Sequence, residues 1–217
     1  MEHKNRYPIL AAIGALLLLV GAAGAFIAPI EVYSFYLFVE GGKFHYEGFR
    51  FGSFMFANIA CQVLFYDLVA ALFIPLGYGH VRARRWARVM ALVLLWGWLV
   101  VGLPLSLVLL FMLLTAKALP VAGAVVAIVA VGLCYPLLPL VLIRFYQSRA
   151  VRLTFEARDP RPSRLEGMPH SVLVLGSLFL LYALLLHLPA LANGLFPFFG
   201  TILTGFEGFV ALDLAIA

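Results

Sequence analysis

The chain has 217 residues, 65% of them hydrophobic and only 12% charged. A soluble domain is about 45–50% apolar and about 25% charged, so a core of this size cannot hide the excess apolar surface from water. With a mean hydropathy of +1.06, an ordinary soluble fold is excluded; the net charge of +5 lies between apolar runs, where it reads as a topology signal and not as a nucleic-acid surface.

The first apolar run is Pro8–Ile30, after a short polar start. It is long enough to cross a bilayer and has no clean cleavage site, so it is read as a retained span. Gly14, Gly21, Gly24 and the alanines around them make it rich in small residues. Such residues let helix backbones approach closely where lipid supplies no hydrophobic drive. The segment 31–53 follows, rich in Tyr and Phe, with Gly41-Gly42 between two aromatic runs. Lys43, His45 and Glu47 alternate with Phe44 and Tyr46, and Gly48 shifts the phase. This pattern predicts a small external β-hairpin with a bulge; an interfacial helix over Val32–Val39 is the competing reading.

The second span is expected over Phe54–Gly77, the third over Val89–Thr115 and the fourth over Leu119–Ile143. Pro104 and Pro136 are expected to kink the third and fourth, because proline removes a donor and clashes with the preceding turn. Residues 145–170 form the one substantial polar segment, and DPRPSR within it is expected to be extended. Val151, Leu153 and Phe155 alternate with polar neighbours, which predicts a short piece on the membrane surface. The fifth span is Ser171–Leu191, Ala192-Asn193-Gly194 is a turn, and Leu195–Ala217 is a sixth apolar stretch.

A cytoplasmic N-terminus puts Lys4, Arg6, Arg82, Arg84, Arg85, Arg88 and every arginine from Arg144 to Arg164 inside, leaving Lys43, Arg50 and Lys117 outside. That bias satisfies the positive-inside rule. Arg82, Arg84, Arg85, Arg88, Arg149 and Arg152 are therefore candidates for docking to anionic lipid or to a partner subunit. Cys61 and Cys134 fall about 10 Å and about 22 Å below the outer ends of their helices. Bridged Cα atoms must lie within about 7 Å, so no disulfide is expected.

Asp67 is the principal candidate for chemistry. It lies about 20 Å from the outer end of its helix, near mid-depth. A carboxylate there costs about 2.5–3.5 kcal/mol on insertion scales and normally faces a partner or a water-filled cavity. Two readings follow: an ion, proton or substrate site, or a neutral acid bonded to a neighbouring helix. Asn58, Gln62 and Tyr66 share one face of this helix, and Asp67 falls about 100° away from Tyr66. If the last stretch crosses, Glu207 sits at a depth comparable to Asp67, where the two would share a proton or a cation; Asp213 is nearer the inner end. His3, His45, His80, His170 and His187 form no pair with a haem-binding motif, and no cofactor or metal is expected. The sequence contains no nucleophile elbow, phosphate loop or HExxH motif.

The sequence thus predicts an all-α polytopic integral membrane protein, one transmembrane domain over residues 1–217. It would have six transmembrane helices, or five if the last stretch is re-entrant. The expected location is a bacterial inner or cell membrane. The expected function is non-enzymatic, an accessory or structural subunit of a larger membrane complex. The alternative is a small transporter, or its substrate-binding component, using Asp67 and Glu207. The expected partners are the lipid bilayer, anionic lipids at the cytoplasmic face and other membrane-protein subunits, with no nucleic acid.

Overall fold

Lipid offers no partner to a backbone N–H or C=O, so an apolar chain satisfies its own backbone within helices. The computed structural model describes residues 5–115, 120–191, 196–198 and 201–216. The helices are α1 (Tyr7–Phe38), α2 (Phe54–Val81), α3 (Arg85–Thr115), α4 (Val121–Gly132), α5 (Leu138–Gln147), α6 (Arg149–Arg158), α7 (His170–Leu191) and α8 (Gly205–Ile216). Strands β1 (Phe196–Phe198) and β2 (Thr201–Leu203) pair antiparallel, with Phe196 opposite Leu203 and Phe198 opposite Thr201. Four segments are long and apolar enough to cross a membrane: α1, α2, α3 and the run Val121–Gln147. The chain is a helical, membrane-embedded protein. It falls into two compact units, Met1–Gly14 with Tyr78–Leu178 and Ala15–Gly77 with Phe179–Ala217, so that α1, α2 and α7 each contribute to both.

In the first unit α3 supplies much of the core. Val89 and Val93 pack with Val174 of α7, flanked by Leu165, Leu173 and Leu178. The turn from α2 into α3 is tight: a Cβ on Gly79 would lie 2.6 Å from that of Ala87. Ala83 adopts a left-handed φ of 48°, and the Arg84 N–H donates to the Gly79 carbonyl at 2.7 Å, closing the last turn of α2. α3 continues through Pro104 as α-helix. At Pro136 the chain instead forms a π-turn, Leu133–Leu137, in which the Leu138 N–H reaches the Leu133 carbonyl. One extra residue in the turn accommodates the missing proline donor without ending the helix. Residues 149–158 are helical, and Val151, Thr154 and Phe155 are the buried positions. Their spacing of three and four marks a helix face, and the expected surface alternation is corrected accordingly.

In the second unit α1 and α2 meet at a close seam. A Cβ on Gly21 would lie 2.8 Å from Ile74 Cγ1, and one on Gly24 would lie 2.8 Å from the Tyr66 carbonyl oxygen. The numbers run in opposite senses, so the pair is antiparallel. The expected hairpin in residues 31–53 does not form. Val32–Phe38 continue α1, and the following segment folds back onto the end of that helix. There the Phe44 and Tyr46 N–H groups donate to the Leu37 and Phe38 carbonyls at 2.9 Å and 3.0 Å. Helix extension won because Val32, Phe35 and Tyr36 share one helical face, and Phe35 is buried against Phe49. Gly41 and Gly48, at φ +90° and +81°, supply single left-handed turns in place of a hairpin turn.

The expected sixth helical span is not confirmed. Leu195–Ala217 contains the β1–β2 pair and a helix, α8, of 12 residues. Twelve residues rise only about 18 Å, short of the about 30 Å hydrocarbon core. Pro197 and the left-handed Gly205 (φ +62°) break what would have been a continuous helix. The turn expected at Ala192-Asn193-Gly194, together with His3, Lys4, Lys117 and Ala217, lies outside the described residues.

Candidate functional site

α2 turns Phe56, Ile59, Ala60, Val63 and Asp67 toward one side at helical spacing. Val32, Phe35 and Tyr36 of α1 stand opposite, and Phe51 closes the loop end. Together these walls bound an open groove of about 330 Å³. The mouth is aromatic. Phe35 lies 4.8 Å from Phe51 and 5.4 Å from Phe56, ring centre to ring centre, and Phe51 lies 5.1 Å from Phe56. From Phe56 the groove follows α2 for about 16 Å down to Asp67.

Among the described residues Asp67 is the one charged residue in the lining. Its side chain is exposed, and among the described residues it makes no hydrogen bond and no ion pair. Asn58 and Gln62 are occupied with each other, the Gln62 amide donating to Asn58 Oδ1 at 3.0 Å. Tyr66 has its carbonyl under Gly24. None of these three lines the groove, so α2 carries two separate polar features. Glu207 lies in the first turn of α8 and is exposed. α8 packs against both strands. Among the described residues nothing joins Glu207 to Asp67.

The arginines gather in the first unit. Arg85 forms a two-pronged ion pair with Glu166, Nη2–Oε2 2.7 Å and Nε–Oε1 3.0 Å. Arg84 reaches Asp159 at 3.6 Å, which also accepts the Arg85 backbone N–H at 3.3 Å. Arg88 donates to the Tyr146 carbonyl, and Arg152 pairs with Glu156 one turn on. Arg158 stacks 3.4 Å from the centre of the Tyr7 ring. Arg82 sits near the Tyr78 ring, and Arg149 is exposed. Ser163 and Glu166 form a capping box that holds Glu166 in place. Under this lattice His80 is fully buried, its Nε2 2.7 Å from the Tyr146 hydroxyl. Arg152 holds the Glu156 carboxyl below its usual range. Cys61 and Cys134 are both unbridged.

Comparison with family models, curated proteins and solved structures gives no match.

Sequence reasoning did not find the aromatic wall, because the first span was expected to end at Ile30 and a helix over Val32–Val39 was only the competing reading. The helical spacing of Val32, Phe35 and Tyr36 carried that signal. It did not find the acidic partners of Arg84 and Arg85 either, although the Ser163-Arg164-Leu165-Glu166 cap is legible as a motif. The His80–Tyr146 bond, 66 residues apart, has no local signature.

Proposed function

We propose that the chain is a non-enzymatic, multi-pass membrane protein that serves as an accessory or structural subunit of a larger membrane assembly. Its N-terminus is cytoplasmic in a bacterial cell membrane, with five crossing helices and the β1–β2–α8 segment lying beyond the last. The observation that supports this is the combination of bare apolar helices with an unpaired carboxylate. The most apolar windows of the four long segments are only 11–22% buried within the chain. Lipid covers such surface as well as a partner helix does, but lipid offers nothing to Asp67. The basic lattice around Arg84, Arg85 and Arg152 faces anionic headgroups on this topology. Extraction from the native membrane in mild detergent, followed by native mass spectrometry, tests the reading. A stable larger complex is expected; a chain that emerges only as a monomer refutes it.

A second reading, a small transporter or its substrate-binding component, is favoured by the groove that reaches Asp67. Asp67→Asn is then expected to abolish coupled uptake in vesicles with folding intact. Unchanged flux removes Asp67 from any mechanism.

A further inference from the structure

The geometry points to the α1–α2 groove as a binding site for a small amphipathic organic cation, an ammonium or guanidinium carried on an apolar body. The site deepens the substrate-binding reading and rests on it, although binding itself does not require flux.

Charge comes first. Asp67 is the single charged side chain of the lining and has no partner among the described residues. Hydrocarbon supplies no counterion, so a cation in the groove answers the carboxylate. The walls decide which cation. A hard metal ion needs several oxygen ligands, and the lining brings only one carboxylate and the Tyr36 hydroxyl. Val32, Ile59, Val63 and Leu64 line the way from Asp67 toward the rings of Phe35, Phe51 and Phe56 at the mouth, so the walls cover an apolar body and leave the charge to the carboxylate. The volume of about 330 Å³ lies within the range of small-molecule sites. Depth decides the source. Asp67 is about 20 Å along α2 from its Phe54 end, below the level of lipid headgroups, so the ligand is a free amine and not a bilayer lipid.

The test uses the full chain in phosphatidylglycerol nanodiscs with tritiated benzyltrimethylammonium. Neopentylbenzene, in which carbon replaces the charged nitrogen, is the neutral competitor. Saturable binding at one site is expected, with the neutral compound competing at least about tenfold more weakly. Asp67→Asn is expected to weaken the cation by about tenfold or more, and Asp67→Glu to retain it. No saturable binding, equal competition by the neutral isostere, or full affinity in Asp67→Asn overturns the proposal. Loss of binding in phosphatidylcholine nanodiscs overturns it in favour of a choline headgroup. The wild-type comparison of the two isosteres decides the matter even if a variant fails to fold. Binding without flux refutes the transporter reading and leaves the site standing.

Discussion

Replacing Gly24 with alanine probes the seam that positions the groove. The added methyl carbon would sit 2.8 Å from the Tyr66 carbonyl oxygen, with Val69 Cγ1 and the Ala70 nitrogen at 3.5 Å and 3.6 Å. The closest of these atoms belongs to the backbone, so no side-chain rotation relieves the contact and one helix must move. Overpacking of this kind costs about 1–3 kcal/mol. Alanine returns about 0.5–1 kcal/mol, because glycine loses more freedom in a helix. The net expectation is a loss centred on about 1 kcal/mol, within about 0–2.5 kcal/mol. Gly176 in α7 is the control. A methyl there meets nothing within 4 Å, so Gly176→Ala is expected to be neutral or to gain up to about 1 kcal/mol. Sodium dodecyl sulfate titration in mixed micelles, followed by far-ultraviolet circular dichroism, measures both. A Gly24→Ala variant as stable as the parent refutes the close seam, and so does a Gly176→Ala variant destabilised as much as Gly24→Ala.

Three further outcomes follow from the first unit. Arg85 and Glu166 are 18% and 16% exposed, so removing either one strands a half-desolvated charge. Arg85→Ala and Glu166→Ala should each lower stability by about 1–3 kcal/mol, with a clear coupling in the double-mutant cycle; additive losses would show that the pair is not linked. Tyr146→Phe deletes the 2.7 Å bond to the buried His80 and should cost about 1–2 kcal/mol, read by the same titration; an unchanged midpoint refutes a structural role for that bond. Glu156 titrates below its usual range because Arg152 bonds it. Its stabilisation is therefore present above the unfolded-state pKa and is lost as pH falls through the lower folded one. The pair is exposed, so the acid limb of a pH–stability curve should shift by only about 0.3–0.5 kcal/mol in Arg152→Ala.

Hydropathy alone revealed the long helices, because about 20 apolar residues in a row have one economical structure in lipid. It could not reveal their faces. α1 is apolar all round, so hydrophobicity does not distinguish its inner side; residue size does. Leu10, Gly14, Gly21, Gly24 and Ala28 are its buried positions up to Pro29, and the last four are legible in the sequence as small residues at helical intervals. The loop at 39–53 was not legible, because alternation over a few aromatic residues fits a strand as well as a turn that leans on a helix end. The end of the chain misled for a different reason. Leu195–Ala217 has the composition of a span, but Pro197 and Gly205 impose local geometry that composition averages away.

The depth of Asp67 and the small residues of α1 belong to one arrangement. Gly21 faces Ile74 and Gly24 faces the stretch from Tyr66 to Ala70, which sets the antiparallel register. Extended by one turn, that register brings Asp67 level with Ala28, itself buried at 4% exposure. Beyond this point the inner positions of α1 change from glycine and alanine to Val32, Phe35 and Tyr36. Close approach needs small residues, so the seam ends where they end and the space beside the larger side chains is the groove. Asp67 therefore stands at the boundary between a tight seam and an open groove. A carboxylate within the seam would have to be neutral and enclosed; one facing unbroken lipid would carry the full insertion penalty of about 2.5–3.5 kcal/mol. At the foot of the groove it meets neither condition, which is the setting that the proposed cation site requires.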